Sequence, residues 1–547
     1  MSETFFHRSK SRLPIPLFTI LCAFLLIISS NGCRKKPSPR NFILITLDTQ
    51  RADFVSYDSP ENARTPHLDL LAQQGTVFKN CYSLIPITLP SHASIFYSVP
   101  PHIIKNYTNG QVIRNKRSLP SFVNVFKKNG FTTAAFVSLG VLKSQFGLEK
   151  GFDLYVDKFP EGRWYLYAEE VNRKVFPWLE KNHNNRFFLW IHYSDPHDPY
   201  APPDTPDDCQ LFFNGKRVAD FCLNKYLINE VELILEKGRN KIMLEVNNPF
   251  DENPDHYQAR LDKLEFNPSP GEDNLQIEFG RGWFIRREER DIYFFKKQGF
   301  IEILNPGAPR PVKISFRGKL VIPIEAARDA YKREVEYMDS EIGRLWKKLE
   351  EFRLFENTAI LVVGDHGEGL GDFWTDVGDP HIGHIHYLYG VYMKVPFILY
   401  NPFSSQRGSI REEPVTLLDV APTTMNLMDF KKLSSFQGRD LLRLRKGKRL
   451  EIFEETYKPE AFMDKFGLLS SPWHIILTPE EKKFEIFNLH TDPKERTDVF
   501  QDTQKSPEVE SLKRRLEEFV RQVLKEKEEV KIDRKTEEML RALGYVK

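Results

Sequence analysis

Three apolar runs in this chain each stop on an acidic or imidazole side chain, and no other feature limits the fold as much. Residues 41–47 (NFILITL) stop at Asp48, residues 187–191 (FFLWI) at His192, and residues 358–363 (TAILVV) one glycine before Asp365. A segment that is apolar at nearly every position reads as a parallel strand buried on both faces. Residues 131–137 (FTTAAFV) and 395–400 (VPFILY) read as further strands. Between them the spacing becomes helical. Thr65 fits an N-cap, Pro66 the first position and Gly75 the end of one helix. Residues 118–129 predict another, with Phe122, Val125 and Phe126 inward and Gly130 closing it. Residues 331–349 predict a long amphipathic one, with Tyr331, Val335, Met338, Ile342 and Leu345 on one face. Alternating strands and helices predict an α/β fold, a mostly parallel sheet sandwiched by helices. Such sheets bind ligands at the carboxyl ends of their strands. Asp48, His192 and Asp365 are therefore expected at one edge.

Residues 207–323 break this pattern. Short alternating runs lie between turns: 210–213, the Asn214-Gly215 hairpin pair, 230–235, Lys237-Gly238, 241–246, 280–284, 300–304 and 313–316. They predict an inserted β-sandwich, and LFFNGKRV and LEKGRNKIMLEV are similar to galactose-binding-like jelly-roll modules. A purely structural insertion that shapes a cleft fits the same residues. With 547 residues the chain exceeds one ordinary core. A formal net charge of +2 gives no electrostatic reason for a nucleic-acid partner. Five cysteines are too few for a disulfide framework. Cys209 and Cys222 are near enough in sequence to bridge in an oxidising compartment, and the sequence leaves that open.

The N-terminus points to export. His7, Arg8, Lys10 and Arg12 precede an apolar run over 13–28, which suits an export-signal core and is short of the about 20 residues of a bilayer span. Ser29-Ser30-Asn31-Gly32-Cys33 then resembles a bacterial lipoprotein cleavage site, with Ser30 departing from the usual Leu. Lipidation of Cys33, an uncleaved signal anchor and a cysteine of no consequence are all open. Either of the first two is a membrane anchor and places the remaining chain in the periplasm or at the cell exterior.

Four clusters carry the chemistry: Asp48-Thr49-Gln50-Arg51; Thr88-Leu89-Pro90-Ser91-His92; His192-Tyr193-Ser194-Asp195-Pro196-His197-Asp198; and Asp365-His366-Gly367-Glu368, followed by His384 and His386. In order and spacing the chain resembles the sulfatase family of the alkaline phosphatase superfamily. Later segments, 415–428 (VTLLDVAPTTMNLM), Gln437-Gly438-Arg439, 484–493 (FEIFNLHTDP) and 541–545 (RALGY), resemble it too. The resemblance implies an alkaline-phosphatase-like fold in five parts. Residues 1–40 are signal peptide or lipoprotein anchor and linker. Residues 41–206 and 324–430 form the catalytic domain, 207–323 the inserted jelly-roll-like sandwich, and 431–547 a smaller C-terminal α+β part with a helical tail.

By the same resemblance, Asp48, Asp365 and His366, with Thr88, are ligands of a divalent metal ion (Ca, Mn or Zn). Thr88 stands where sulfatases carry the Cys or Ser that becomes formylglycine, and His92 replaces their Arg. Threonine cannot become an aldehyde by that route. It can attack as a hydroxyl activated by a metal. Thr-x-Pro-x-His is similar to the nucleophile segment of nucleotide pyrophosphatase/phosphodiesterases, which favours phosphoryl chemistry without excluding sulfate. His192, His197 and His384 are catalytic candidates that contact the ester or protonate its leaving oxygen. A second metal site of Asp195, His197 and His384 and a structural role are the alternatives. Arg51, His92 and His386 are candidates for substrate binding. The sequence thus predicts an exported, membrane-anchored hydrolase of sulfate or phosphate esters, borne on a small molecule, glycan or lipid. The alternatives are a phosphodiesterase or phosphotransferase on envelope glycans or lipids, and a non-catalytic ligand-binding relative.

Overall fold

The computed structural model describes residues 37–547 except 115–118, 161–162, 226, 250, 252, 254, 272–273, 288–290, 375–379, 445–449, 458–462, 504–505, 529–531 and 543–547. The apolar run over 13–28 and Cys33 lie outside the described residues. Among these no helix is long and apolar enough to cross a membrane.

An eight-stranded sheet organises the chain, in the order Ser409–Arg411, Thr76–Phe78, Phe397–Tyr400, Thr358–Gly364, Asn41–Leu47, Phe187–Tyr193, Thr132–Phe136, Leu154–Val156. The central strands pair in parallel. Phe397–Tyr400 runs antiparallel to both of its neighbours, so the sheet is mixed at that side. Along Asn41–Leu47 side chains alternate between faces. Ile43, Ile45 and Leu47 pack with Leu68, Val171, Val175, Met338, Ile342 and Leu345. Phe42 and Leu44 pack on the other face with Leu89, Phe96, Phe122, Phe126 and Met425. Helices therefore cover both faces, the architecture expected from buried parallel strands.

Local differences from the sequence reading have physical causes. The helix after Thr65 is Pro66–Gln74, but the Thr65 hydroxyl does not cap it and accepts from the Ser56 N–H instead. Its first N–H groups are taken in trans by Asp339, which accepts from His67 and Leu68 at 3.1 and 2.9 Å. The strand at 187 continues through His192 to Tyr193. The helix beginning near 118 starts at Phe122, where Ser121 and Asn124 form a capping box. The long helix extends over Ile324–Glu351. At Gly343 an added Cβ would come within 2.3 Å of the His67 ring, so glycine sets how closely the two helices meet.

Between Cys209 and Leu320 lie two five-stranded sheets, each paired antiparallel throughout. Their own core includes Leu211, Leu235, Ile242, Leu261, Phe295, Ile303 and Phe316. Asn214 and Gly215, at φ 49° and 80°, make the tight turn their dipeptide suggests. The run at 280–284 is not one strand: it divides at Gly282 between Gln276–Phe279 and Trp283–Arg287. Cys209 and Cys222 are buried free thiols. Towards the C-terminus a four-stranded antiparallel sheet spans Ile452–Thr456 to Lys483–Asn488. The helix Pro507–Glu526 contributes Val509, Leu512 and Leu516 to the same core as its Phe466 and Ile475.

Candidate active site

Strand register alone brings the first two carboxylates together. Leu47 is in register with Gly364, and Thr46 with both Val363 and His192. Asp48 and Asp365 thus leave neighbouring parallel strands side by side, where strands lie about 4.8 Å apart. Asp365 N–H donates to the Leu47 carbonyl at 3.2 Å, and Asp48 N–H to that of Tyr193 at 2.9 Å.

Each carboxylate is held by one oxygen. Asp365 Oδ1 accepts from the backbone N–H of Thr49 (3.1 Å) and of His366 (2.7 Å). Asp48 Oδ2 accepts from His192 Nε2 at 3.1 Å. The other oxygens, Asp48 Oδ1 and Asp365 Oδ2, are buried without a hydrogen-bond partner. Burial opposes charge on Asp48, yet His192, His197 and His366 hold its pKa well below the ordinary carboxylate range. Burial and then the Asp48 charge push Asp365 well above that range. Two such carboxylates share a proton unless a cation joins them. Asp48, Asp365 and His366 each offer a ligand atom within 4.8 Å of the others. Two orphaned carboxylate oxygens and an imidazole suit a divalent metal ion, so the residues fit the group.

The helix Thr88–Tyr97 is buried along its whole length and begins at the site. Ser91 Oγ donates to the Asp365 carbonyl at 2.8 Å and docks its first turn. His366 Nδ1–H donates to the Gly367 carbonyl at 3.0 Å, which leaves Nε2 unprotonated. That nitrogen lies 3.3 Å from Thr88 Oγ1, close enough to accept a hydrogen bond from the hydroxyl. Burial lowers the His366 pKa to about 3, so the ring is neutral. Thr88 is the first residue of its helix and not the cap, which is Ile87.

The histidines divide into two groups. His384 Nδ1–H donates to Glu368 Oε2 at 3.0 Å, and its ring lies 4.5 Å from that of His366 and 5.2 Å from that of His197. His197 Nδ1–H donates to the Asp198 carbonyl at 2.6 Å. On the other side, His192 lies 5.1 Å from the His92 ring. His92 Nδ1–H donates to the Thr88 carbonyl at 2.8 Å, while Nε2 accepts from the Thr46 hydroxyl at 3.0 Å. Burial, then His192, lowers its pKa to about 3.

Three further candidates from the sequence are placed as follows. His92 is wholly buried with both nitrogens engaged, which braces the helix start. The Arg51 guanidinium is committed to Asp53 (2.8 Å twice), Asp372 (2.5 Å) and the Glu368 carbonyl (3.1 Å), because those oxygens surround it before any ester could. Asp195 turns away to accept from Ala168 N–H at 2.9 Å, at the start of the helix Ala168–Asn182. Burial raises its pKa to about 7. A second cluster of Asp195, His197 and His384 does not form, and Asp48, Asp365 and His366 are the one such group among the described residues. His386 is buried 5.5 Å from the His381 ring, which accepts from or donates to the Tyr392 hydroxyl at 2.8 Å.

Three contributors carried no sequence signal of their role. Glu368 orients His384. Tyr331, expected only as a core residue, donates its hydroxyl to the Thr49 carbonyl (2.7 Å) and accepts from Arg51 N–H (3.0 Å), clamping the loop after Asp48. Lys319 of the inserted sandwich reaches Asp198. A glutamate inside the Asp-His-Gly-Glu wording was the one hint available.

Comparison with known proteins gives the family of this chain. The sulfatase family model matches residues 40–430, and a model of the N-sulphoglucosamine sulphohydrolase C-terminal region matches 384–522. The chain belongs to the sulfatase family and is a hydrolase acting on ester bonds. An arylsulfatase of Clostridium perfringens is 23% identical over 526 residues, 87% of this chain and 93% of that protein. An N-acetylglucosamine-6-O-sulfatase of Bacteroides thetaiotaomicron is 22% identical over 557 residues, 93% of this chain and 91% of that one. Among solved structures, a protein in complex with its substrate D-glucosamine-2-N,6-O-disulfate superposes with a TM-score of 0.56 at 16% identity, covering 90% of this chain and 100% of that one. The phosphonate monoester hydrolase of Agrobacterium radiobacter gives 0.55 at 14% identity, covering 89% and 96%. These last two likenesses concern the fold alone.

Proposed function

We propose that this protein is a divalent-metal-dependent hydrolase of sulfate or phosphate esters carried on glycans, with Thr88 as nucleophile. The observation behind it is the meeting of Thr88 Oγ1, His366 Nε2 and the two orphaned oxygens of Asp48 and Asp365 in a buried corner. Asp48, Asp365 and His366 would hold the ion, with Thr88 beside it. The mixed carboxylate and imidazole set suits Mn or Zn better than Ca. Bound there, the ion supplies positive charge that favours the ionised hydroxyl and offsets the charge of the ester oxygens.

The rest follows from the chain's own groups. Thr88 gives up its proton to solvent before the ester enters, since His366 Nε2 would face the ion, and Oγ1 attacks the phosphorus or sulfur. A bond from Oγ1 to that centre forms as the bond to the leaving alcohol oxygen breaks. His197, whose Nδ1–H is held by the Asp198 carbonyl, is placed to give that oxygen a proton from Nε2. His384, kept neutral by burial that lowers its pKa to about 3 and held by Glu368, stands beside it. Water then attacks the same centre, the Thr88 bond breaks to give back the ionised Oγ1, and the water's proton returns to His197. Burial of the corner excludes bulk water and strengthens each of these interactions. Because the threonine adduct must be attacked at phosphorus or sulfur, the chemistry leans towards phosphate. A glycan substrate is supported by relatives and neighbours whose names specify sulfated sugars. The test is a panel of sulfate monoesters, phosphate monoesters and phosphate diesters with Mn, Zn or Ca, followed by mass spectrometry of the quenched enzyme. A metal-stimulated turnover and an adduct on the peptide containing Thr88 are expected. Turnover with no adduct would replace Thr88 attack by direct attack of water.

A further inference from the structure

The inserted sandwich reaches the site through Lys319. Lys319, on the strand Arg310–Leu320, donates from Nζ to both carboxylate oxygens of Asp198, at 3.1 and 2.9 Å. Asp198 in turn accepts the His197 Nδ1–H on its carbonyl, and His197 lies beside His384. From Lys319 a row of side chains runs outward across one sheet. Lys319 is in register with Arg260, Arg260 with Phe294, and Phe294 with Phe284. Residues opposite one another on adjacent strands project from the same face. That face is the outer one, since the adjacent Ala259, Leu261, Phe295 and Leu320 fill the sandwich core. At about 4.8 Å between strands, four side chains span roughly 14 Å.

The two ends of the row differ in chemistry. Its far end is aromatic and open: Phe284 is 48% exposed, and its ring lies 5.8 Å from that of Tyr257 and 6.1 Å from that of Phe294. Its near end is cationic, with Lys319 and Arg260 set against the one carboxylate of Asp198. Exposed rings offer flat apolar faces, and the cations require negative groups on whatever lies across them. Sugar rings present C–H faces that stack on aromatic side chains, and their sulfate or phosphate groups supply the charge. Continuity with His197 places such a chain's end where the ester would be cleaved.

We propose that Tyr257, Phe284, Phe294, Arg260 and Lys319 form an extended subsite for the neighbouring sugars of an anionic oligosaccharide whose terminal ester lies at Thr88. This rests on the ester-hydrolase reading, and the test separates the two. Titration calorimetry of a heparin-derived hexasaccharide into Thr88→Ala protein reads binding without turnover. Adding Tyr257→Ala with Phe284→Ala should weaken binding roughly ten-fold. Arg260→Ala should weaken it to a similar extent and flatten its salt dependence. Thermal melting of each variant checks that the sandwich stays folded. Unchanged affinity in the aromatic and arginine variants overturns the subsite. So does a parent protein that binds neither this probe nor a carrageenan hexasaccharide, or that binds only phosphatidylglycerol vesicles. Failure of the hydrolase reading would appear elsewhere, as a wild-type protein that turns over no ester in any metal.

Discussion

At Thr88 the hydroxyl and the methyl ask separate questions. Thr88→Ala removes the oxygen that meets His366 Nε2, and turnover should fall by about a thousand-fold or more. Thr88→Ser keeps the oxygen and frees its rotamer, so measurable activity should survive on the best substrate. Equal activity in the alanine variant and wild type would remove Thr88 from the mechanism. At Asp365 and His366 the readout is metal content. Asp365→Ala or His366→Ala should lose the ion by elemental analysis, because each removes one of three ligands in the cluster. Ligand linkage predicts that wild type gains about 2.7 kcal/mol at a hundred times the metal's Kd, and the variants should miss that gain in a melt with excess metal. Full occupancy in both would refute this ligand set.

Among elements, the C-terminal sheet carries its own charged core. His474, on Trp473–Thr478, bonds Glu454 on Ile452–Thr456 at 2.9 Å through Nε2 and Glu495 through Nδ1, all three buried. Burial disfavours the imidazolium, but the two carboxylates outweigh it and push the pKa up to about 10. A pKa raised on folding favours the folded state fully below the unfolded value, about 6.5, and the benefit drains away as pH rises towards 10. Wild-type melting temperature should therefore fall between pH 6.5 and 10, and His474→Gln should flatten that segment of the profile. Parallel slopes in the two proteins would assign the dependence to other groups. These three side chains also line a cavity of about 1030 Å³ with Tyr82, Lys394 and Arg411, apart from the Thr88 corner.

For the whole molecule, the inserted sandwich has a core that the main sheet does not share. Deleting 207–323 with a short flexible linker should leave a cooperatively folding, metal-binding body that has lost affinity for the anionic hexasaccharide. A chain that no longer folds would show that the sandwich completes the main core. The tether is a proposal drawn from sequence alone. If Cys33 is lipidated, Cys33→Ser should move the protein from the membrane to the soluble fraction, and unchanged attachment would favour a signal anchor.

What the sequence determined by itself was five of the eight strands of the main sheet and the order of the clusters, while the short strands Thr76–Phe78, Leu154–Val156 and Ser409–Arg411 escaped it. Asp48 and Asp365 were legible because a buried parallel strand needs an apolar run, and the first acidic residue after it marks the edge where ligands bind, whereas His192 ends its apolar run inside the strand Phe187–Tyr193. The sandwich between 207 and 323 was legible as a change of period, while the strands Ala259–Asn267 and Asp291–Phe295 escaped because their lysines and aromatics blur the alternation. Only tertiary structure decided which polar groups face the corner. Arg51, His92 and Asp195 stand in the right clusters, yet Asp53 and Asp372, Thr46, and the start of the helix Ala168–Asn182 claim them first. Lys319, 121 residues from Asp198 in the chain, is brought there by the packing of a separate module. Spacing along a chain reports which backbone a residue sits on; which partner satisfies a buried polar atom is a competition among neighbours that only folding assembles.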